Sequence, residues 1–270
     1  MTADRLPSLR STDGVLPDVP IDRLAPVVSL SGLVFVWWVV GSTVAQGLPT
    51  PPVVAGAFAT AVVDPSFHSS ALTSAVRVYV PFLLAAAIAV PIGLLAGWHQ
   101  PFGDLTLPAL ELVRPIPPIA WIPALILLIP GTEPGIMFIT FLGAFYPVLL
   151  NAVEGGRSVD QEYAKAARSL GADAVGIVRH VVLPGALPSI TTGLYVGMGL
   201  AWLNLVAAEM LAGGSGLGYL TWSAYTGGSY PYIVVGMLSI GGLGVASTAA
   251  VGRLDGWLLP WLETDAGHTV

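Results

Sequence analysis

The chain of 270 residues has no cysteine, a single lysine and few charges of any kind. Without cysteine, neither a disulfide framework nor a thiolate metal site can be built. The only lysine, Lys165, lies between Ala164 and Ala166, so the phosphate-cradling loop G-x-x-x-x-G-K-[ST] is excluded. Charged residues make up 10% of the chain, against about a quarter in soluble globular proteins, which excludes a water-soluble domain. No cluster of His, Ser or carboxylate side chains suggests catalysis. His68, His99, His180 and His268 are scattered over loops and termini, where solvated or capping roles fit better than metal ligation. The chain is therefore not read as an enzyme, and no cofactor, metal or nucleic acid is expected on it.

What the sequence does contain is apolar: 54% of its residues, with a mean hydropathy of +0.79. Six runs approach the ~20 residues that a helix needs to cross a bilayer, at about 24–46, 76–98, 105–129, 135–153, 186–212 and 231–253. The runs are continuous rather than alternating in polarity, which selects helices over a barrel. The expected fold is an all-α membrane protein with a membrane domain over 24–260, a mobile polar tail over 1–23 and a short tail over 261–270. The first tail lacks the order of a cleaved signal peptide, so the first span is expected to act as the targeting signal.

Cytoplasmic loops of membrane proteins carry the Lys/Arg excess. Arg5, Arg10 and Arg23 precede the first run, Arg157, Lys165, Arg168 and Arg179 lie between the fourth and fifth, and Arg253 ends the sixth. The alternate connections, about 47–70, 130–134 and 213–230, hold no Lys or Arg. Both termini and the segment 155–184 are thus expected on the cytoplasmic side of the cell membrane. Arg77 is expected at the outer end of the second helix, close enough to snorkel to the interface.

The segment Gly155 to Pro184 is a polar island between two long apolar runs. Ser158 and Gln161 have the spacing of a capping box. Val159, Tyr163, Ala166, Ala167 and Leu170 fall on one face at helical spacing, and Gly171 is suited to a C-terminal cap. A second short helix is expected over about 173–183, stopped by Pro184. Two such helices form a narrow knob that can enter a groove on a partner.

These residues resemble a known family. Ala166-Ala167, three residues, Gly171, nine residues and Val181-Val182-Leu183-Pro184 match the loop signature of ABC-importer permeases, written EAA, three residues, G, nine residues, I-x-L-P. Lys165 stands where the family most often has an acidic residue, and Glu162, almost one turn earlier, supplies a nearby carboxylate. LPTPPVV (48–54), LVRPIPPIAWIPALIL (112–127), LGAFYPVLLN (142–151) and GLAWLNLVAAEMLAGGSGLGYL (199–220) look like the nitrate/sulfonate/taurine branch. The resemblance implies a six-helix bundle of the type I importer kind, with a cytoplasmic coupling helix. It further implies a dimer, usually of identical chains, with two cytoplasmic P-loop ATPases that use the ATP and an extracellular binding protein that delivers the solute. Glu162, Lys165, Ala166, Ala167, Gly171, Leu183 and Pro184 are the implied ATPase-coupling residues. Similar permeases also carry vitamin or pyrimidine-type precursors. A secondary transporter without an ATPase, the alternative class, needs intramembrane acids for ion coupling, and only Glu111 and Glu209 qualify.

The third run carries PIPPIAWIP just after Arg114, so its helix must kink or break. Irregular backbone at membrane depth is tolerated where protein buries it or a cavity wets it. Glu111, Arg114, Pro117 and Trp121 are therefore candidates for a translocation path, with Asn204 and Glu209 from the fifth run. Arg114 either meets a small anion or pairs with Glu111 three residues earlier. Glu209 either lines the path as a polar outer gate, or makes an interhelical hydrogen bond or accepts an N–H of the glycine-rich loop that follows. Trp202 and Tyr195 are further aromatic candidates. Gly93-x-x-x-Gly97 and Gly193-x-x-x-Gly197 are read as close-packing pairs. The uncharged stretch 213–232 is either a docking surface or a flexible loop.

Overall fold

The computed structural model describes residues 21–43, 47–128 and 130–258, with side chains over these ranges apart from 21–25, 126 and 254–258. The expected tail to residue 20, with Arg5 and Arg10, and the stretch 259–270, with His268, lie outside the described residues, as does the side chain of Arg23. The chain divides into two compact units, 1–51 and 52–270. In the first, α1 (Ile21–Thr43) carries the expected first span. After it the chain folds back, so that the Trp37 indole donates to the Pro49 carbonyl at 3.1 Å.

All regular structure among the described residues of the second unit is helical. It opens with α2 (Pro51–Val63) and α3 (Pro65–Trp98). The second span was expected from residue 76, but α3 starts eleven residues earlier. Asp64 caps it by accepting the Ser66 N–H at 2.8 Å, and Pro65 occupies the first turn, where its missing N–H costs nothing. That hydrogen bond holds the exposed Asp64 carboxyl below its ordinary range. The expected third span, 105–129, is not one helix. It divides into α4 (Gln100–Val113), a 3-10 turn at Pro118–Trp121 and α5 (Ile122–Leu128), because Pro115, Pro117 and Pro118 remove successive donors. Then follow α6 (Glu133–Ser158), α7 (Gln161–Ser169), α8 (Ala174–Ile177), α9 (Leu183–Ala212), α10 (Leu217–Thr226) and α11 (Tyr230–Leu258). Among the described residues, five helical stretches are long and apolar enough to cross a membrane; the remaining run, the third, is the broken one.

The core lies along α6. Contacts with α3 rise together in residue number (Arg77 with Glu133, Gly93 with Leu149, Gly97 with Val153), so α3 and α6 run parallel. Contacts with α9 run the other way (Gly143 with Asn204, Gly197 with Ala144, Gly193 with Asn151, Gly155 with Ala186), so that pair is antiparallel. A Cβ added at Gly97 would lie 2.1 Å from the Val153 carbonyl oxygen, and one at Gly193 would lie 2.7 Å from the Asn151 Cβ. Both glycine pairs are thus contact points of backbones. This is how helices associate in lipid, where burial of apolar surface gives little drive. Phe82, Phe145, Leu149, Met198 and Leu205 fill the space between. The Ser247 hydroxyl ties α11 to this core, accepting from the Trp202 indole at 3.1 Å and bonding the Tyr79 hydroxyl at 2.8 Å.

Candidate functional site

Three polar features interrupt the apolar bundle. The first is a buried knot. Arg77, 2% exposed, does not snorkel: its guanidinium lies between α3, the start of α6 and the end of α9. Nε donates to Glu133 Oε2 at 2.9 Å and Nη2 to Glu133 Oε1. Nη1 donates to Glu209 Oε1 at 2.9 Å and to the Ser215 carbonyl at 2.8 Å, and Nη2 also to Ser215 Oγ at 3.0 Å. All five N–H donors of the fork are engaged. Glu209 is fully buried and also accepts from the Ser74 hydroxyl and from the Gly218 N–H, both at 2.9 Å. Ser74 Oγ in turn accepts the Leu217 N–H at 2.8 Å. Glu209 thus bridges helices, to Ser74 and Arg77, and also accepts an N–H of the glycine-rich turn that follows it.

The knot pins the turn between α9 and α10. Gly216 takes φ +104, and a Cβ there would sit 2.1 Å from Glu209 Oε1. The stretch 213–232 is consequently not a flexible loop. It contains α10, with Leu217, Gly218, Thr221 and Ala224 buried and Trp222 and Tyr225 outward. One signal in the sequence points to the knot: Arg77 and Glu209 are ionisable residues inside two different apolar runs, a costly placement unless they meet.

The second feature is the break. Arg114 ends α4, its N–H bonded to the Leu110 carbonyl at 3.2 Å. Glu111 and Arg114 are exposed and form no ion pair with each other; among the described residues the ion pairs all belong to Arg77. With Leu107, Leu110, Tyr146 and Leu149 they line a shallow depression. Pro117 precedes the 3-10 turn and is exposed. Trp121 packs edge-on against Phe138 at 6.3 Å, and its buried Nε1 has no hydrogen-bond partner among the described residues. Asn204 lies elsewhere, buried against Gly143 with Nδ2 donating to the Leu200 carbonyl at 2.8 Å. The six path candidates are thus not gathered into one site: four share the break, and Asn204 and Glu209 are inside the bundle.

The third feature is the segment after α6. Ser158 is the last residue of α6, and its hydroxyl donates back to the Gly155 carbonyl. The capping box is therefore replaced by Asp160, whose Oδ1 accepts the Glu162 N–H at 2.9 Å. Starting α7 there sets its phase. Ala164, 3% exposed, faces inward with Ile177, Val182 and Ala186, while Tyr163 (68%) and Leu170 (90%) point outward with Ala166. The expected single face thus splits: Val159 and Ala167 pack inward, and Tyr163, Ala166 and Leu170 form a second, free face. Lys165 and Glu162 are exposed beside it.

Gly171 (φ +89) closes α7 with paired bonds, Gly171 N–H to the Arg168 carbonyl at 2.9 Å and Ala172 N–H to the Ala167 carbonyl at 3.0 Å. Pro184 does not stop the next helix. After α8, capped by Asp173, a π turn over Val178–Val182 runs on into α9, with Leu183 N–H bonded five residues back to Val178. That wider turn shifts the bonding register just where the proline lacks its N–H. The ends of α3 and α6 and the start of α9 share this end of the bundle. Arg77 is twenty residues of helix from Gly97, or about 30 Å, so the knot and the elbow stand at opposite ends of the bundle, about one hydrocarbon-core thickness apart.

A bundle with five helical stretches long and apolar enough to cross a membrane among its described residues defines a multi-pass integral membrane protein. Residues 89–264 match the family described as binding-protein-dependent transport system inner membrane component. The chain is 38% identical over 197 residues to a Methanocaldococcus jannaschii protein assigned as an ABC transporter permease, covering 73% of this chain and 74% of that one. It is 30% identical over 246 residues to the nitrate import permease protein of Synechocystis sp. (88% and 90% covered), and 30% over 248 residues to the bicarbonate transport system permease protein of Synechococcus elongatus (87% and 89%). The chain belongs to the binding-protein-dependent transport system inner membrane components: it is the permease subunit of an ABC importer.

Proposed function

We propose that this permease carries a small anion of the nitrate, sulfonate or taurine kind, with α7 as the point at which a separate P-loop ATPase drives it. The observation that carries the reading is the outward face Tyr163–Ala166–Leu170, apolar on a helix held rigid by Asp160, Ala164 and Gly171. Exposed apolar side chains on a short, doubly capped helix suit a partner's groove. Glu162 and Lys165 flank the contact, and Leu183 and Pro184 join the elbow to α9. ATP is bound by the partner and not by this chain.

In this reading α4 and α5 together make a sixth, interrupted crossing. The two termini and the 155–184 elbow face the cytoplasm, a second copy completes the path, and an extracellular binding protein meets the α10 end. Closure of the ATPase pair moves the two α7 helices together and turns the path outward; ADP and phosphate release resets it. Arg114, exposed at the break and unpaired, supplies positive charge for the anion, with Trp121 Nε1 as a further donor. Support for an anion is the free guanidinium together with relatives named for nitrate and bicarbonate.

Affinity purification of the tagged chain from native membranes in mild detergent tests the reading. Two copies with two P-loop ATPases and a binding protein are expected. The chain alone, with uptake that follows ion gradients and ignores ATP, would overturn it. For the path, Arg114→Gln should lower anion uptake about tenfold, the worth of one charge-assisted contact, at an unchanged amount of folded protein. Unchanged anion uptake removes Arg114 from the path.

A further inference from the structure

At the elbow end a groove of about 330 Å³ opens between the end of α3, the start of α4, the end of α7 and α8. Its walls are apolar: Leu95, Trp98, Phe102 and Ile177. Arg168 and His99 are its charged or titratable lining residues, and no carboxylate lines it. Arg168 is exposed and makes no ion pair among the described residues; Asp173, which precedes the lining residue Ala174, is engaged as a cap on the Gly176 N–H at 2.8 Å. His99 Nδ1 accepts the Phe102 N–H at 3.3 Å, which leaves the proton of the neutral ring on Nε2 as a donor. Trp98 is the last residue of the α3 span, so the groove's mouth lies at the membrane boundary, where tryptophan is enriched.

An apolar trough with a cation at one end, at the level of lipid headgroups, is complementary to one kind of molecule in particular. We propose that the groove holds an anionic phospholipid, its phosphate on Arg168 and the His99 Nε2–H and an acyl chain along Leu95, Phe102 and Ile177. Arginine recognises phosphate through paired donors, and a free anion would leave the apolar walls unfilled. The bound lipid joins the α3–α4 corner to the end of α7 and stiffens the elbow from its membrane side. The site requires only that the chain spans a membrane, not that α7 docks an ATPase.

The test places p-benzoylphenylalanine at Phe102 in the full chain, within its native assembly. The assembly is reconstituted in a bilayer of equal parts phosphatidylcholine and phosphatidylglycerol, and the photo-adducts are read by mass spectrometry. The expected result is about a fivefold excess of phosphatidylglycerol adduct, from one basic contact at the surface, falling to parity in Arg168→Gln and retained in Arg168→Lys. Equal adducts of both lipids in the wild-type sequence overturn the proposal without any variant being needed. Adducts to an ATPase subunit instead of lipid also overturn it, and would assign the groove to the docking contact.

Discussion

Arg77 and Arg114 are both arginines set in apolar runs, each near a glutamate, yet the structure treats them oppositely. Arg77 is buried, with every donor engaged by Glu133, Glu209 and Ser215. Arg114 is exposed at a break in the helix and has no ion-pair partner among the described residues, although Glu111 is only three residues away. The difference is one of available chemistry. A guanidinium with no free donor can bind a passing solute only by giving up its protein partners, so it serves to fix helices. One that ends a broken helix keeps its donors for something else.

The comparison is sharpened most by removing each charge in turn. Arg77→Gln leaves Glu209 buried without its cation, and the folded state should lose about 3–5 kcal/mol, measured by thermal unfolding in detergent. Arg114→Gln should stay within about 0.5 kcal/mol of wild type; equal losses at the two sites would break the contrast. The double variant Arg77→Gln/Glu209→Gln should recover part of the first loss, because the uncompensated charge goes with its partner.

Gly216→Ala attacks the knot without touching its charges. The new Cβ meets Glu209 at a backbone angle that L-residues avoid, and about 1–3 kcal/mol should be lost. At the elbow, Gly171 shares the positive φ but has open space around it. Gly171→Ala should therefore cost only about 1–2 kcal/mol of local strain, seen as faster hydrogen exchange over 161–172 while the knot stays protected. Asp160→Ala should cost about 1 kcal/mol as a lost cap and fray the same helix; unchanged exchange there would show that Ala164 packing alone holds it.

Much of the fold was legible because hydropathy and glycine spacing act locally. Continuous apolar runs marked the long helices, and both G-x-x-x-G pairs are backbone contacts. The elbow's C-cap at Gly171 was readable for the same reason, since no other residue takes φ +89 without strain. What was not legible depended on partners far away in sequence. Nothing near Arg77 distinguishes a snorkelling arginine from a knotted one; Glu133 and Glu209 decide it from 56 and 132 positions away. The face of α7 was misassigned because its phase depends on which residue caps it, and the cap moved from Ser158 to Asp160. In the sequence Pro184 reads as a stop, because a π turn that tolerates it has no simple sequence signature. Helix α10 was missed because ten residues between glycines carry little periodicity, and its inward face is set by the knot.

The central claim is that the outward face of α7 meets the ATPase that drives the permease. The absence of cysteine makes it directly testable, since Leu170→Cys introduces the chain's sole thiol. With a benzophenone maleimide on that thiol, illumination of native membranes should give an adduct with a P-loop ATPase, whose yield changes on adding ATP. The same probe on Tyr225→Cys, exposed on α10 at the other end of the bundle, serves as the control and should give none. No ATPase adduct at position 170, with uptake still intact, would contradict the account.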